Sequence, residues 1–205
     1  MRSRLPAGRY PAAVTSPNDS LRSRLAQYVR DLAVIHGEVT LASGRTSDHY
    51  VDMRRVTLHH AAAPLVGHVV LDLLEEAGLG PDEVDAVGGL TMGADPVATA
   101  VLHAAASRGL AVDAFVVRKE AKAHGLQRRV EGPDVAGRRV VAVEDTSTTG
   151  GSLLTAIEAL REAGAEVVGA AVVVDRDTGA RERVEAAGVR YLAALGLEDL
   201  GLTPR

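Results

Sequence analysis

The feature that most constrains this chain is an abrupt change of character at position 144. Val140-Val141-Ala142-Val143 is an apolar run of the length of a buried strand. It stops at Glu144-Asp145, passes into Thr146-Ser147-Thr148-Thr149-Gly150-Gly151-Ser152, and gives way to Leu153, Leu154, Ile157 and Leu160 at helical spacing. The pattern predicts a strand, a polar loop occupied by the acids and hydroxyls, and a helix. In open α/β sheets a loop at the carboxyl end of a strand is where ligands bind. Gly150 and Gly151 let backbone N–H groups come close to a ligand, the hydroxyls add donors, and the helix dipole favours an anion, so the loop suits a phosphate. Two carboxylates placed just before it would repel that phosphate unless they face something else, such as vicinal sugar hydroxyls whose protons they accept. A ribose 5-phosphate satisfies both halves. The plain alternative is an ordinary strand–helix turn in which Glu144 and Asp145 cap the helix and the hydroxyls are solvated. No Lys follows the glycines as in a Walker loop, and no G-x-G-x-x-G opens the helix.

The rest of the chain repeats the same alternation. Leu21, Leu25, Tyr28, Val29 and Leu32 form a helical stripe that Ser20 or Asp19 is placed to cap. A helix is expected over 63–76, stopped by Gly78 and Gly80-Pro81, followed by a strand over 84–88. Further expected elements are a helix over 96–108, strands over 111–117 and 139–143, a helix over 152–163, a strand over 167–174, a helix over 180–187 and a strand over 191–193. Residues 126–137 show no element pattern. This order implies an α/β fold, a mostly parallel sheet covered by helices.

With 205 residues, 46% of them hydrophobic, the chain is long enough for one substantial core. The absence of cysteine removes a disulfide scaffold, a thiol nucleophile and a thiolate zinc site, and fits a reducing cytoplasm. A net charge of −4 offers no global attraction to nucleic acid or anionic lipid, and no apolar run approaches the roughly 18 residues of a membrane span. Residues 1–20 carry Arg2, Arg4 and Arg9 without a central apolar segment, and read as a flexible extension before a domain over 21–205.

Three further stretches carry polar chemistry. Arg118-Lys119-Glu120-Ala121-Lys122-Ala123-His124-Gly125 places four potential cations within seven residues, suited to neutralising a leaving diphosphate or, more plainly, to forming a solvated charged face. Gly37 to Asp52 is turn-rich and then strand-like. Val172-Val173-Val174-Asp175-Arg176 carries a strand directly into an arginine, whose two-pronged guanidinium matches a carboxylate unless it pairs with Asp175 or Asp177.

Val140–Ser152 resembles the phosphoribosyl-pyrophosphate signature of the type I phosphoribosyltransferases, with Glu in place of the commoner Asp at the first acid. The 118–125 segment and the G-x-x-T-L-x-S-G-x-x-S core within 37–47 resemble the orotate phosphoribosyltransferases. The resemblance runs from about Leu21 to Leu195 and implies the type I fold, a central twisted sheet flanked by helices with a small amino-terminal hood largely within 21–60. It implies transfer of phosphoribose from phosphoribosyl pyrophosphate to orotate, with Mg²⁺ held mainly by substrate and no firm protein ligand. By it, Glu144, Asp145, Thr146, Ser147, Thr148, Thr149, Gly150, Gly151 and Ser152 bind the ribose phosphate. Arg118, Lys119, Lys122 and His124 bind the diphosphate, with Lys119, Lys122, His124 and Asp145 catalytic, and Thr148 and Arg176 hold orotate. A homodimer sharing loop 118–125 across its interface is also implied. Some members carry lysines where this chain has Ala42 and Met92, so neutralisation must lean on the 118–125 loop and on metal. A phosphoribosyl-pyrophosphate-sensing regulator and a purine-type transferase are the competing readings.

Overall fold

The computed structural model describes residues 21–40, 46–120 and 129–203. The expected extension over 1–20, and with it the caps at Asp19 and Ser20, lies outside the described residues, as do Lys122, His124 and Ala42.

The chain opens with α1 (Leu21–Tyr28), which passes into one π-helical turn, Val29–Ala33, so the stripe read through Leu32 changes pitch at its end. β1 (Val34–Thr40) and β2 (Thr46–Val51) pair antiparallel as a separate two-stranded sheet, with a register shift between His36 and Val39. Then follow α2 (Arg54–Thr57), α3 (Ala63–Glu76), β3 (Ala86–Leu90), α4 (Ala94–Ser107), β4 (Asp113–Val117), β5 (Val130–Glu131), β6 (Arg139–Ser147), α5 (Gly151–Glu162), β7 (Glu166–Asp175), α6 (Ala180–Ala186) and β8 (Tyr191–Leu195).

The main sheet has the order β5-β4-β3-β6-β7-β8, and every pairing in it is parallel except the short edge strand β5. The central stretches of β3, β6 and β7 are apolar because both faces are covered. One face packs on α1, α3 and α4 through residues such as Leu25, Val66, Leu71, Val97 and Val101. The other packs on α5 and α6 through Leu153, Ile157, Leu160 and Val184. From β3 the chain crosses through α4 to β4 on one side, and from β6 it crosses through α5 to β7 on the other. The strand order therefore reverses between β3 and β6, which places a crevice at their carboxyl ends. No helix among the described residues is long and apolar enough to cross a membrane.

Two boundaries depart from the expectations in ways that bear on function. The strand expected over 84–88 is shifted to 86–90, so that Leu90 delivers Thr91, Met92 and Gly93 to the crevice. The acids and the first hydroxyls, expected in a loop, belong to β6: pairing with β7 continues through Glu144 with Val172, Thr146 with Val174 and Ser147 with Asp175. Polarity alone suggested a loop. The strand persists because its neighbour supplies a ladder beyond the apolar run, which side-chain pattern does not reveal. Only Thr148, Thr149 and Gly150 lie between strand and helix.

Candidate active site

The crevice holds a pocket of about 260 Å³ lined by Tyr50, Asp52, Arg54, Gly93, Lys119, Asp145 and others, including Met92, Glu144, Thr146 and Ser152. It gathers residues from the hairpin, α2, the turn after β3, the end of β4 and the end of β6.

Glu144 and Asp145 are buried, 7% and 8% exposed, at the mouth of a strand rather than on a solvated turn. Their oxygens fold back on the backbone: the Thr146 N–H donates to Asp145 Oδ1 at 2.7 Å, and the Asp145 N–H to Glu144 Oε1 at 3.4 Å. Across the crevice they meet Gly93. A Cβ at that position would fall inside contact distance of Glu144 Oε1 and 2.8 Å from Asp145 Oδ1, so glycine lets the turn after β3 lie against the acid pair without displacing its carboxylates. Thr91 Oγ1 donates to Asp95 Oδ2 at 2.7 Å, tying this turn to the first turn of α4.

Burial, and then the neighbouring Asp145 carboxylate, push the Glu144 carboxyl up to about 8. Burial also raises Asp145. These shifts favour a proton on the pair. A carboxyl whose folded-state value lies above its unfolded value stabilises the fold fully below the unfolded value, here about 4.5, and that stability is lost as pH rises through about 8. The ligand-free protein is therefore expected to lose unfolding free energy between about pH 5 and about pH 9, and Glu144→Gln to flatten that loss. Chemical denaturation across this range checks it; the same slope in the variant would exclude Glu144 as the cause.

At the far end of the pocket, Gly150 takes a left-handed conformation, φ 73°, as the residue before α5. A Cβ there would also press on the Ala180 carbonyl at 3.3 Å. No side chain caps the amino end of α5, whose first turn carries no acid, so its N–H groups are open to an anion. Arg183 Nη1 donates to the Thr149 carbonyl at 2.6 Å and holds the short loop from behind, while Thr148 and Thr149 are exposed.

Arg176 follows β7 directly, and its N–H donates to the Ser147 carbonyl at 2.9 Å, joining it to the end of β6. The residue is only 8% exposed, yet among the described residues its guanidinium has no ion pair. The bland expectation of a pair with Asp175 is not met: Asp175 Oδ1 instead accepts from the Asp177 N–H at 3.0 Å. Burial lowers the guanidinium from its ordinary value, and the nearby Tyr50 acts in the opposite direction. A buried cation without a counter-ion is costly unless a ligand supplies one.

Of the cationic segment, Lys119 is exposed and lines the pocket of its own chain, whereas Arg118 turns away, its Nη1 3.7 Å from Glu131. Among the described residues no group of three or more His, Asp or Glu side chains could hold a metal.

The phosphoribosyl transferase domain family matches residues 54–190. An orotate phosphoribosyltransferase of Streptomyces avermitilis is 65% identical over 185 residues, 90% of this chain and 99% of that protein. The chain belongs to the orotate phosphoribosyltransferase family. A relative of that name from Corynebacterium glutamicum is 59% identical over 187 residues, 91% of this chain and 97% of its own. The crystal structure of Mycobacterium tuberculosis H37Rv orotate phosphoribosyltransferase in complex with 5-phospho-alpha-D-ribosyl 1-diphosphate has a TM-score of 0.76 at 51% identity, covering 89% of this chain and 100% of that one. The type I fold and the recognition drawn from residues 140–152 both hold. Sequence reasoning overlooked one pocket residue of this orotate phosphoribosyltransferase family member: Arg54. It stands in Arg54-Arg55, a pair that reads as surface charge, and only the turn after β2 brings it to the acids.

Proposed function

We propose that this protein transfers the 5-phosphoribosyl group of phosphoribosyl pyrophosphate to orotate, giving orotidine 5′-phosphate and pyrophosphate for pyrimidine synthesis. The observation that carries the acceptor assignment is Arg176, a buried guanidinium without a carboxylate partner among the described residues, beside a site for ribose phosphate. Orotate brings a carboxylate; hypoxanthine and adenine do not. The shared name of the relatives supports the same reading.

In this account the open N–H groups of α5 and the hydroxyls of Thr146, Ser147, Thr148, Thr149 and Ser152 hold the 5-phosphate, with Gly150 and Gly151 allowing its approach. Glu144 and Asp145 accept from the ribose hydroxyls. A ring nitrogen of orotate forms the new bond to the anomeric carbon as the bond to the diphosphate oxygen breaks, and that electron pair leaves with pyrophosphate. Developing positive charge on the sugar is favoured by the carboxylate of Asp145, and negative charge on the leaving group by Arg118, Lys119, Lys122 and His124. Arg176 and Thr148 orient the orotate carboxylate, and Tyr50 stands between that end and the pocket.

The pocket donors are carboxylate, hydroxyl and backbone oxygens with no thiolate, a set that suits a hard cation such as Mg²⁺. In this account Mg²⁺ would be held mainly by substrate, beside the pocket's carboxylates and hydroxyls. Bound there, Mg²⁺ disperses the leaving group's charge.

We also assign a homodimer sharing segment 118–125 across its interface, in the cytoplasm. Leu58 and Met92, 71% and 67% exposed, flank an apolar groove along α4 that a second copy would cover, and Met92 lines the substrate pocket as well. A comparison of orotate, hypoxanthine and adenine as acceptors tests the assignment: turnover is expected with orotate alone, and comparable turnover with a purine base would overturn the role of Arg176.

A further inference from the structure

A diphosphate bound in this pocket needs positive charge held in a fixed place. Among the described residues, the carboxylates lining the pocket are Asp52, Glu144 and Asp145, and the cations are Arg54 and Lys119. Lys119 stands at the exposed entry to the 118–125 segment. Arg54 is different in kind: it is the first residue of α2, anchored at the foot of the hairpin. Its Nε donates to Asp52 Oδ1 at 2.9 Å, while the side chain remains 47% exposed. That bond aims the guanidinium and leaves both Nη groups free of hydrogen bonds among the described residues, a two-pronged donor of the geometry that phosphate oxygens accept.

Its position selects among the anionic parts of the substrates. The 5-phosphate is served by the amino end of α5. The orotate carboxylate is served by Arg176, which does not line this pocket and has Tyr50 as a neighbour. Arg54 is acted on by both Tyr50 and Asp145 and shares the pocket with Lys119 and the Thr91–Gly93 turn. It therefore lies on the leaving-group side of the ribose-binding acids.

We propose that Arg54, aimed by Asp52, binds the diphosphate of phosphoribosyl pyrophosphate and supplies its fixed positive charge. This rests on the reading of the pocket as a phosphoribosyl-pyrophosphate site. Asp52 is a positioning residue, acting through Arg54.

The test is steady-state kinetics of Arg54→Ala, Arg54→Lys and Asp52→Asn, together with calorimetric binding of magnesium pyrophosphate to each. Arg54→Ala is expected to raise the KM for phosphoribosyl pyrophosphate about 10- to 100-fold and to weaken pyrophosphate binding by a similar factor, with the KM for orotate changed less than about twofold. Arg54→Lys should recover part of the loss, and Asp52→Asn should show a smaller shift in the same two constants. A purely structural residue would lower the thermal midpoint without separating the two KM values, so unchanged donor and pyrophosphate constants in a folded variant overturn the proposal. A rise confined to the orotate KM overturns it equally. Pyrophosphate binding is read without turnover, so wild type that binds it Arg54-dependently but does not convert orotate would support this proposal and remove the acceptor assignment instead.

Discussion

Replacing Lys119 by alanine is expected to lower kcat by about 10²–10³ while leaving the thermal unfolding midpoint where it is. The two halves of that expectation have separate causes. Lys119 is exposed and packs against nothing in the core, so its removal costs no buried contact. Yet it lines the pocket beside Gly93 and Asp145, where charge gathers on a departing diphosphate. A cation aimed at charge that develops only as the bond breaks lowers the barrier more than it tightens substrate binding. The loss should therefore appear mainly in kcat, with a lesser change in the donor KM. A variant with unchanged turnover would remove the 118–125 segment from the catalytic account.

Arg176→Leu should produce the second large effect, this time with a gain in stability. The guanidinium is buried without a counter-ion among the described residues, so the ligand-free fold bears a desolvation cost there. Leucine removes that penalty, and the variant is expected to be more stable by about 1 kcal/mol or more. The same change leaves the orotate carboxylate facing an apolar wall, and kcat/KM for orotate should fall by a factor on the order of 10²–10³. Binding of phosphoribosyl pyrophosphate measured without orotate should be nearly unchanged. Urea titration and initial rates together check this. Lost stability with intact orotate kinetics would show Arg176 to be a structural residue.

Much of this architecture was legible because hydrophobic periodicity records burial. The helix over 63–76 was read to the residue, the strand over 139–143 was recognised from its first residue but not its end, and the strand over 167–174 was recognised with its centre correct. What was not legible depended on partners distant in sequence. β6 continues through Ser147 because β7 continues beside it, and no local pattern announces that. β5, two residues long, exists only as an antiparallel addition to β4. The same division holds at the site. The acid pair and glycine loop declared themselves through residue types that ordinary turns do not combine. Arg54 did not, since a surface arginine and a pocket arginine look alike until the hairpin and α2 are placed. The need for glycine at 93 likewise became visible only when Glu144 lay against it.

The most direct measurement is the loss of orotate's ultraviolet absorbance when the protein is mixed with orotate, phosphoribosyl pyrophosphate and Mg²⁺, with a metal-free control. The account predicts loss that requires all three. Folded protein that binds phosphoribosyl pyrophosphate but leaves the orotate spectrum unchanged would contradict it.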